Sequence, residues 1–346
     1  MYYSNLYEVR TIKDLRDMLA SSVELYADRT AFLKKPDQGE AYQPVTYRQF
    51  KEDVEAMGTA MMSLGLADKN VAVISENRYE WVVTYLAVLN GVGTIVPLDK
   101  ELPENEVESL LKRSKANAVV YSSYNREQIV NISKKIDTVD YYIHMEQDSD
   151  NDRVISFNQL LAKGKQLLEE GDRTYLDREI DSEAVRILLF TSGTTAMSKA
   201  VMLSHKNIAS NLMSMTSMLY IGKDDIFLSV LPIHHTYECT CGFLCPIYRG
   251  AAVAFCAGLR HIPKNLAEAK ATILLGVPLI YETIYRILWK QAAKDPKTYK
   301  KLKTGLKISN LLKKFNIDVT KKLFKPLHEK FGGNLRLFIS GAAAMD

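Results

Sequence analysis

The sequence is short of net charge, of cysteine and of any apolar leader, and each shortage excludes a class of function. Lys plus Arg number 45 against 41 Asp plus Glu, a net charge of only +4 over 346 residues. That balance gives no global basic field, so no nucleic-acid partner is expected. The amino-terminal residues include Glu8, Arg10, Lys13, Asp14, Arg16 and Asp17, which leaves no apolar core for a signal peptide, and the chain is expected to be cytoplasmic. A long uncharged run, Trp81 to Leu98, is interrupted by Asn90, Gly91, Gly93 and Pro97. It reads as a buried helix entering a buried strand, not as a transmembrane span. The four cysteines, Cys239, Cys241, Cys245 and Cys256, share one segment with His234 and His235. Their C-x-C-x3-C spacing offers no C-x2-C ligand pair, and Phe243, Leu244, Ile247 and Phe255 around them are core types. They read as buried thiols, and no metal ligand is assigned.

What is present is apolar sequence in bulk, 47% of the chain, enough for more than one lobe. Residues 11–30 read as a helix and Ala31-Phe32-Leu33 as a strand. A second helix runs from about Arg48 to Leu64, with Met57, Ala60, Met61 and Leu64 on one face. Val71 to Ser75, Thr94 to Leu98 and Ala118 to Tyr121 then read as buried strands, separated by helices over Tyr79–Leu89 and Glu104–Ser114. Alternation at this rhythm indicates βαβ units and an α/β fold with mostly parallel sheets covered by helices. The acidic stretch from Glu146 to Arg153 and the charged helical pattern from Ala162 to Arg178 mark the expected surface crossing between two lobes, roughly 1–165 and 166–346.

The most informative stretch is Thr191-Ser192-Gly193-Thr194-Thr195-Ala196-Met197-Ser198-Lys199, presented by the apolar run Arg186 to Phe190. Its glycine lets backbone approach an anion, its amides and hydroxyls can donate, and Lys199 supplies positive charge, so it reads as a phosphate loop. It is not a Walker A loop, because Ser198 precedes the lysine and Ala200 follows it. Ala200 to Leu203 reads as a strand and Ser204 as the N-cap of a helix beginning at His205, so the loop joins two strands.

That arrangement resembles the T-S-G-T-T-G-x-P-K-G loop, followed by V-x-x-S-H, of the adenylate-forming superfamily of AMP-dependent synthetases and ligases. The match covers Thr191 to Thr195, Lys199, Val201, Ser204 and His205; Ala196, Ser198 and Ala200 stand where the family has Gly, Pro and Gly. Further along, Leu231-Pro232-Ile233-His234-His235-Thr236-Tyr237-Glu238 leaves the end of an expected strand and resembles the family's L-P-x-x-H-x-aromatic segment. Val277-Pro278-Leu279-Ile280-Tyr281-Glu282, together with Glu238, resembles the branch of long-chain fatty-acid-CoA ligases. Ser340-Gly341-Ala342-Ala343 resembles the S-G-[GA]-A-P segment beside the adenine and acyl chain.

The resemblance implies the large, layered αβαβα N-terminal domain of an adenylate-forming enzyme, as a fragment stopping before the lysine-bearing C-terminal domain. It implies ATP-dependent activation of a carboxylic acid, of the medium- or long-chain fatty-acid class, and transfer to CoA, with Mg2+ assisting. Thr191, Ser192, Gly193, Thr194, Thr195 and Lys199 would hold the nucleotide, Lys199 neutralising phosphate charge. His235, Tyr237, Gly341, Ala342 and Ala343 would line the substrate pocket, His235 with a part in catalysis. The chain alone is expected to turn over poorly. A binding module without catalysis, another ATP-using enzyme and an adenylating enzyme for another carboxylate remain open. Finally, Lys290 to Lys330 holds thirteen lysines and three acids, with leucines and phenylalanines interleaved. It reads as a solvated basic face over an apolar underside, with contact to a membrane surface or to CoA phosphates as a secondary expectation.

Overall fold

The computed structural model describes residues 6–35, 40–147, 153–191 and 198–345. In chain order it begins with α1 (Leu15–Tyr26), β1 (Thr30–Lys34), β2 (Gln43–Thr46), α2 (Tyr47–Ser63), β3 (Asn70–Ile74) and α3 (Tyr79–Ala87). Next come β4 (Thr94–Leu98), α4 (Glu104–Arg113), β5 (Ala116–Tyr121), α5 (Arg126–Ser133), β6 (Tyr141–His144), β7 (Val154–Ser156) and α6 (Phe157–Glu169). The chain continues through β8 (Val185–Thr191), β9 (Lys199–Ser204), α7 (His205–Met218), β10 (Ile226–Ser229), α8 (Cys245–Arg249), β11 (Ala252–Phe255) and α9 (Ile262–Glu268). It closes with β12 (Ile273–Gly276), α10 (Pro278–Ala292), α11 (Pro296–Lys313), α12 (Thr320–Leu323), α13 (Lys325–Lys330) and β13 (Leu337–Ser340).

Two sheets result, one of seven strands in the order β7-β6-β5-β3-β4-β8-β9 and one of six in the order β13-β12-β10-β11-β1-β2. Every neighbouring pair is parallel except β8 with β9 and β1 with β2. The alternation of side chains along each strand divides the core into three. Val71, Val73, Ile95 and Val120 of the first sheet share a central core with Phe32, Phe227, Val253 and Ile273 of the second, packed around α1, α2 and α3. Ala72, Ile74, Val96 and Val119 face the other way, onto α4 and α5. Leu228, Ala254 and Leu274 face outward onto α9. Strands covered on both sides need apolar residues at every position, which is why β3 and β4 read as continuous hydrophobic runs. The layers are therefore αβαβα, the α/β architecture that the sequence implies.

Three expectations change. A cut near residue 165 does not separate the sheets, because β1 and β2 from the early chain join β10 to β13, while β8 and β9 from the later chain complete the other sheet. Of the charged helical stretch, Ala162 to Glu169 belongs to α6, which packs on α2: a Cβ on Gly164 would stand 1.9 Å from the Ala56 carbonyl oxygen. The run ahead of the phosphate loop is also less covered than its apolar residues suggest. Only Ile187 of β8 is buried, because β8 touches β4 in register at one pair and then continues as a ribbon with the largely exposed β9. Among the described residues no helix is long and apolar enough to cross a membrane.

Candidate functional site

In open α/β sheets, loops leaving the carboxyl ends of parallel strands converge on one edge, where ligands are held. Here the loops after β3, β4, β10 and β13 meet. Beyond β10 the chain turns back, His235 N–H donating to the Pro232 carbonyl at 3.0 Å, and enters a π-helix over Glu238–Leu244. Asn77, after β3, stitches this turn to the neighbouring sheet. Its Nδ2 donates to Ser229 Oγ at 2.8 Å and to the Leu231 carbonyl at 2.7 Å, and its Oδ1 accepts from Ile233 N–H at 3.1 Å.

Ser229 Oγ in turn donates to Glu238 Oε1 at 2.6 Å. Glu238 is fully buried, and Gly242 one turn on leaves no more than the room its carboxyl group needs. Burial pushes its pKa up to about 8, although the Ser229 hydroxyl and the amides of Leu231 and Val230 favour the charged form. Those amides face the carboxyl, yet Oε2 has no partner with hydrogen-bond geometry.

The adjacent Tyr237 leans onto the turn after β13. A Cβ on Gly341 would stand 2.6 Å from both Cζ and Oη of Tyr237, so only glycine admits the ring. The Tyr237 hydroxyl is buried without a partner, and burial pushes its pKa up to about 12. Tyr281, at the start of α10, fixes the neighbouring strands: its hydroxyl is shared between the carbonyls of Leu274 in β12, at 2.9 Å, and Ile339 in β13, at 2.7 Å. Ala342 follows Gly341 with φ +70°, a left-handed turn, and Ala342 and Ala343 are both exposed. His234 is mostly enclosed and lies 3.5 Å from Asp99 Oδ2, after β4. Desolvation outweighs the attraction of Asp99 and lowers its pKa to about 4, so the ring is neutral near pH 7. Its ring packs 4.3 Å from that of His235, which is exposed.

At the ribbon, Thr191 and Lys199 are direct cross-strand partners, so the segment between them leaves and re-enters one antiparallel pair. Ser192, Gly193, Thr194, Thr195, Ala196 and Met197 lie outside the described residues. Arg113, ending α4, secures the re-entry: its Nη2 donates to the Ser198 carbonyl at 2.6 Å and its guanidinium lies 5.3 Å from the centre of the Phe190 ring. Ser204 caps α7 in a reciprocal capping box with Asn207. His205 is buried, its Nδ1 accepting from Leu15 N–H at 3.2 Å and its Nε2 lying 3.0 Å from the Leu89 carbonyl, which assigns the proton to Nε2. It therefore ties α1 and the turn after α3 to α7.

Of the residues singled out by sequence, Tyr237 and Gly341 come into contact and His235 stands beside them along the chain. Among the described residues no hydrogen bond, ion pair or ring contact links Thr191 or Lys199 to that group. Asn77, Ser229 and Arg113 were not singled out. The signal for Asn77 and Ser229 was the one that marked His235, polar residues at the end of a buried strand. Two concavities lie at the opposite edge, at the amino ends of the strands, one beside Arg178, Arg186 and His205 and one beside Asn70, Lys115 and Asn117. Among the described residues no group of three His, Cys, Asp or Glu side chains is placed to hold a metal ion. The four thiols are unpaired, and burial raises the pKa of each.

A family model described as AMP-binding enzyme matches residues 19–346. Fatty acyl-CoA synthetase B of Dictyostelium discoideum is 24% identical over 359 residues, covering 96% of this chain and 52% of the relative. Long-chain-fatty-acid–CoA ligase 1 of Cavia porcellus is 24% identical over 333 residues, covering 90% and 47%. Among solved structures, the inhibitor-bound N-terminal domain of FACL13 from Mycobacterium tuberculosis aligns with a TM-score of 0.73 at 19% identity, covering 97% of this chain and 71% of that one. A long-chain-fatty-acid-CoA ligase (FadD1) from Archaeoglobus fulgidus aligns with a TM-score of 0.68 at 19% identity, covering 81% and 54%. The chain spans about half the length of the curated relatives it matches.

Proposed function

The chain belongs to the AMP-binding enzyme family, with the N-terminal-domain fold of adenylate-forming ligases, and on that premise we propose that it serves an acid–thiol ligase that activates a fatty acid with ATP and passes it to CoA. The substrate carboxylate attacks the α-phosphorus of ATP, forming the acyl-adenylate and expelling pyrophosphate. The CoA thiol then attacks the acyl carbon, and AMP leaves. The observation that carries this reading is the contact of Tyr237 with Gly341. Two segments far apart in sequence, each resembling part of an adenylate pocket, share one wall at the carboxyl edge of the six-stranded sheet.

In this reading Tyr237, Gly341, Ala342 and Ala343 form the wall against the acyl-adenylate, and exposed His235 reaches the reacting end. Neutral His234 and the Asn77–Ser229–Glu238 chain hold that wall in place. Thr191, Ser192, Gly193, Thr194, Thr195 and Lys199 orient the phosphates, and Lys199 offsets the charge gained during attack. Mg2+ would supply further charge neutralisation when bound with ATP, and no protein ligand is assigned to it. The fatty-acid class is supported by the names of the relatives.

The test is binding of a non-hydrolysable acyl-adenylate analogue to the purified chain. Binding that is tighter than that of AMP, and that tightens further with a longer acyl group, is the expected result. Equal affinity for the analogue and for AMP would remove the acyl site from the proposal.

A further inference from the structure

The helices α11 to α13 do not follow the simple pattern of a basic face over an apolar underside. The inward face of α11 is Leu302, Gly305, Ser309 and Leu312, at helical spacing. Gly305 abuts Phe324, where a Cβ would stand 3.2 Å from the ring, and Ser309 Oγ lies 3.2 Å from Thr320 Oγ1. Gly305 and Ser309 thus pack α11 against the chain from Thr320 to Phe324, and Tyr299 packs on Trp289 of α10 with ring centres 5.5 Å apart. Leu311 lies on the other side and is 58% exposed, Ile308 lies on the flank toward it and is 44% exposed, and beyond the helix end Phe315 and Ile317 are 69% and 51% exposed.

Lysines occupy the same outward arc. With about 100° between successive helical residues, Lys297, Lys300, Lys301 and Lys307 fall beside Ile308 and Leu311, and all four are exposed. Three acids stand against the thirteen lysines between 290 and 330, and Asp295 attracts Lys301. Asp295 caps the start of α11, accepting from the N–H groups of Lys297 and Thr298, Asp318 accepts from Thr320 N–H, and Glu329 lies 3.8 Å from Lys325. Large apolar side chains set among lysines in such excess suit a surface with anionic headgroups over hydrocarbon, because the apolar tips enter the interface while the ammonium groups stay at phosphate level. A nucleic acid has no use for the apolar tips. Between 290 and 330 there is also no arginine, the residue suited to bidentate phosphate contacts.

We propose that the outward face of α11 and the turn after it dock this protein on anionic membrane surfaces, with Leu311 and Phe315 inserting and Lys300, Lys301 and Lys307 providing the attraction. The proposal is independent of the acid-activation reading and can fail without it. The probe is flotation of the 346-residue chain with vesicles of phosphatidylcholine, with and without phosphatidylserine. Binding is expected only where phosphatidylserine is present. It should be lost between about 0.1 M and 1 M salt, as the screening length falls from about 10 Å to about 3 Å. Neutralising each of Lys300, Lys301 and Lys307 to Gln should lower partitioning about five-fold per site. Leu311→Ser with Phe315→Ser should weaken it at unchanged charge and unchanged melting temperature. Equal binding to phosphatidylcholine alone, or indifference to salt, overturns the proposal, and neither measurement needs a variant. Self-association abolished by the Leu311→Ser and Phe315→Ser pair, or duplex DNA competing as well as phosphatidylserine vesicles, would assign the face to another partner and overturn it too.

Discussion

The hydroxyl end of the Tyr237 ring abuts Gly341 with no space for a side chain between them, a Cβ at 341 falling 2.6 Å from Cζ and Oη. Gly341→Ala must therefore displace the ring or the turn after β13. A cost of about 1–3 kcal/mol is expected, typical of overpacking. Tyr237→Ala removes the obstacle, so the double variant should be less destabilised than the sum of the single changes, a coupling read from urea denaturation of all four proteins. Additive costs would show that the two residues do not share a wall.

Tyr237→Phe separates packing from polarity. The hydroxyl is buried and unpartnered, so its removal should be neutral or slightly stabilising, in contrast to Tyr237→Ala. Loss of acyl-adenylate analogue binding in the Phe variant, at unchanged stability, would assign the hydroxyl to the ligand.

Glu238 makes stability depend on pH in a direction unusual for a carboxylate. Its folded pKa of about 8 exceeds the ordinary 4.5, so the folded state keeps a proton that the unfolded chain releases. The stability this contributes is complete below pH 4.5 and is lost as pH rises to about 8. Glu238→Gln, always neutral, should remove on the order of 1 kcal/mol per pH unit of that decline. Parallel stability profiles for the two proteins would mean that the carboxyl is ionised in the fold.

These sites were unequally legible in the sequence, for identifiable reasons. Ser204 and His205 were found because a cap and the residue after it are local, and Tyr237 and Gly341 because each follows an apolar run that forms a strand, although β13 ahead of Gly341 is only half covered. Their mutual contact was not readable, since it depends on β10, β12 and β13 lying side by side. The division near residue 165 failed on the same ground: Phe32 pairs with Val253, and no local pattern announces that. On α11, periodicity revealed apolar residues at helical spacing, but two apolar sets exist, and only packing tells which one faces inward. Asp99 and Arg113 belong to charged stretches that read as ordinary surface until a partner strand is placed beside them.

His205 should give the opposite pH dependence to Glu238. Burial lowers its pKa below 6.5, so the unfolded chain takes up a proton that the folded ring resists, and stability falls as pH drops below 6.5. His205→Ala leaves Leu15 N–H and the Leu89 carbonyl without their partner, at a cost of about 2–3 kcal/mol near neutral pH. The acid decline should become shallower in this variant without disappearing, because His234, lowered to about 4, titrates in the same direction. An unchanged acid slope would exclude His205 from it.

Lys199 and Arg113 stand at one end of the β8–β9 ribbon with different parts, the lysine proposed to meet phosphate and the arginine holding the strand's re-entry. Lys199 is exposed at the start of β9, opposite Thr191, so Lys199→Ala should leave the melting temperature unchanged. If it neutralises phosphate charge, nucleotide affinity should fall about ten-fold or more, the loss of one charge-assisted hydrogen bond. Arg113 reaches the same place from α4 and holds the Ser198 carbonyl and the Phe190 ring. Arg113→Ala should lower both stability and nucleotide affinity modestly, and Arg113→Lys should restore little, since an ammonium cannot stack as a planar guanidinium does. Calorimetric titration with ATP, paired with thermal melts, distinguishes the two. Unaltered ATP affinity in Lys199→Ala would remove the ribbon's lysine from phosphate binding, leaving only the loop's hydroxyls and amides for that part.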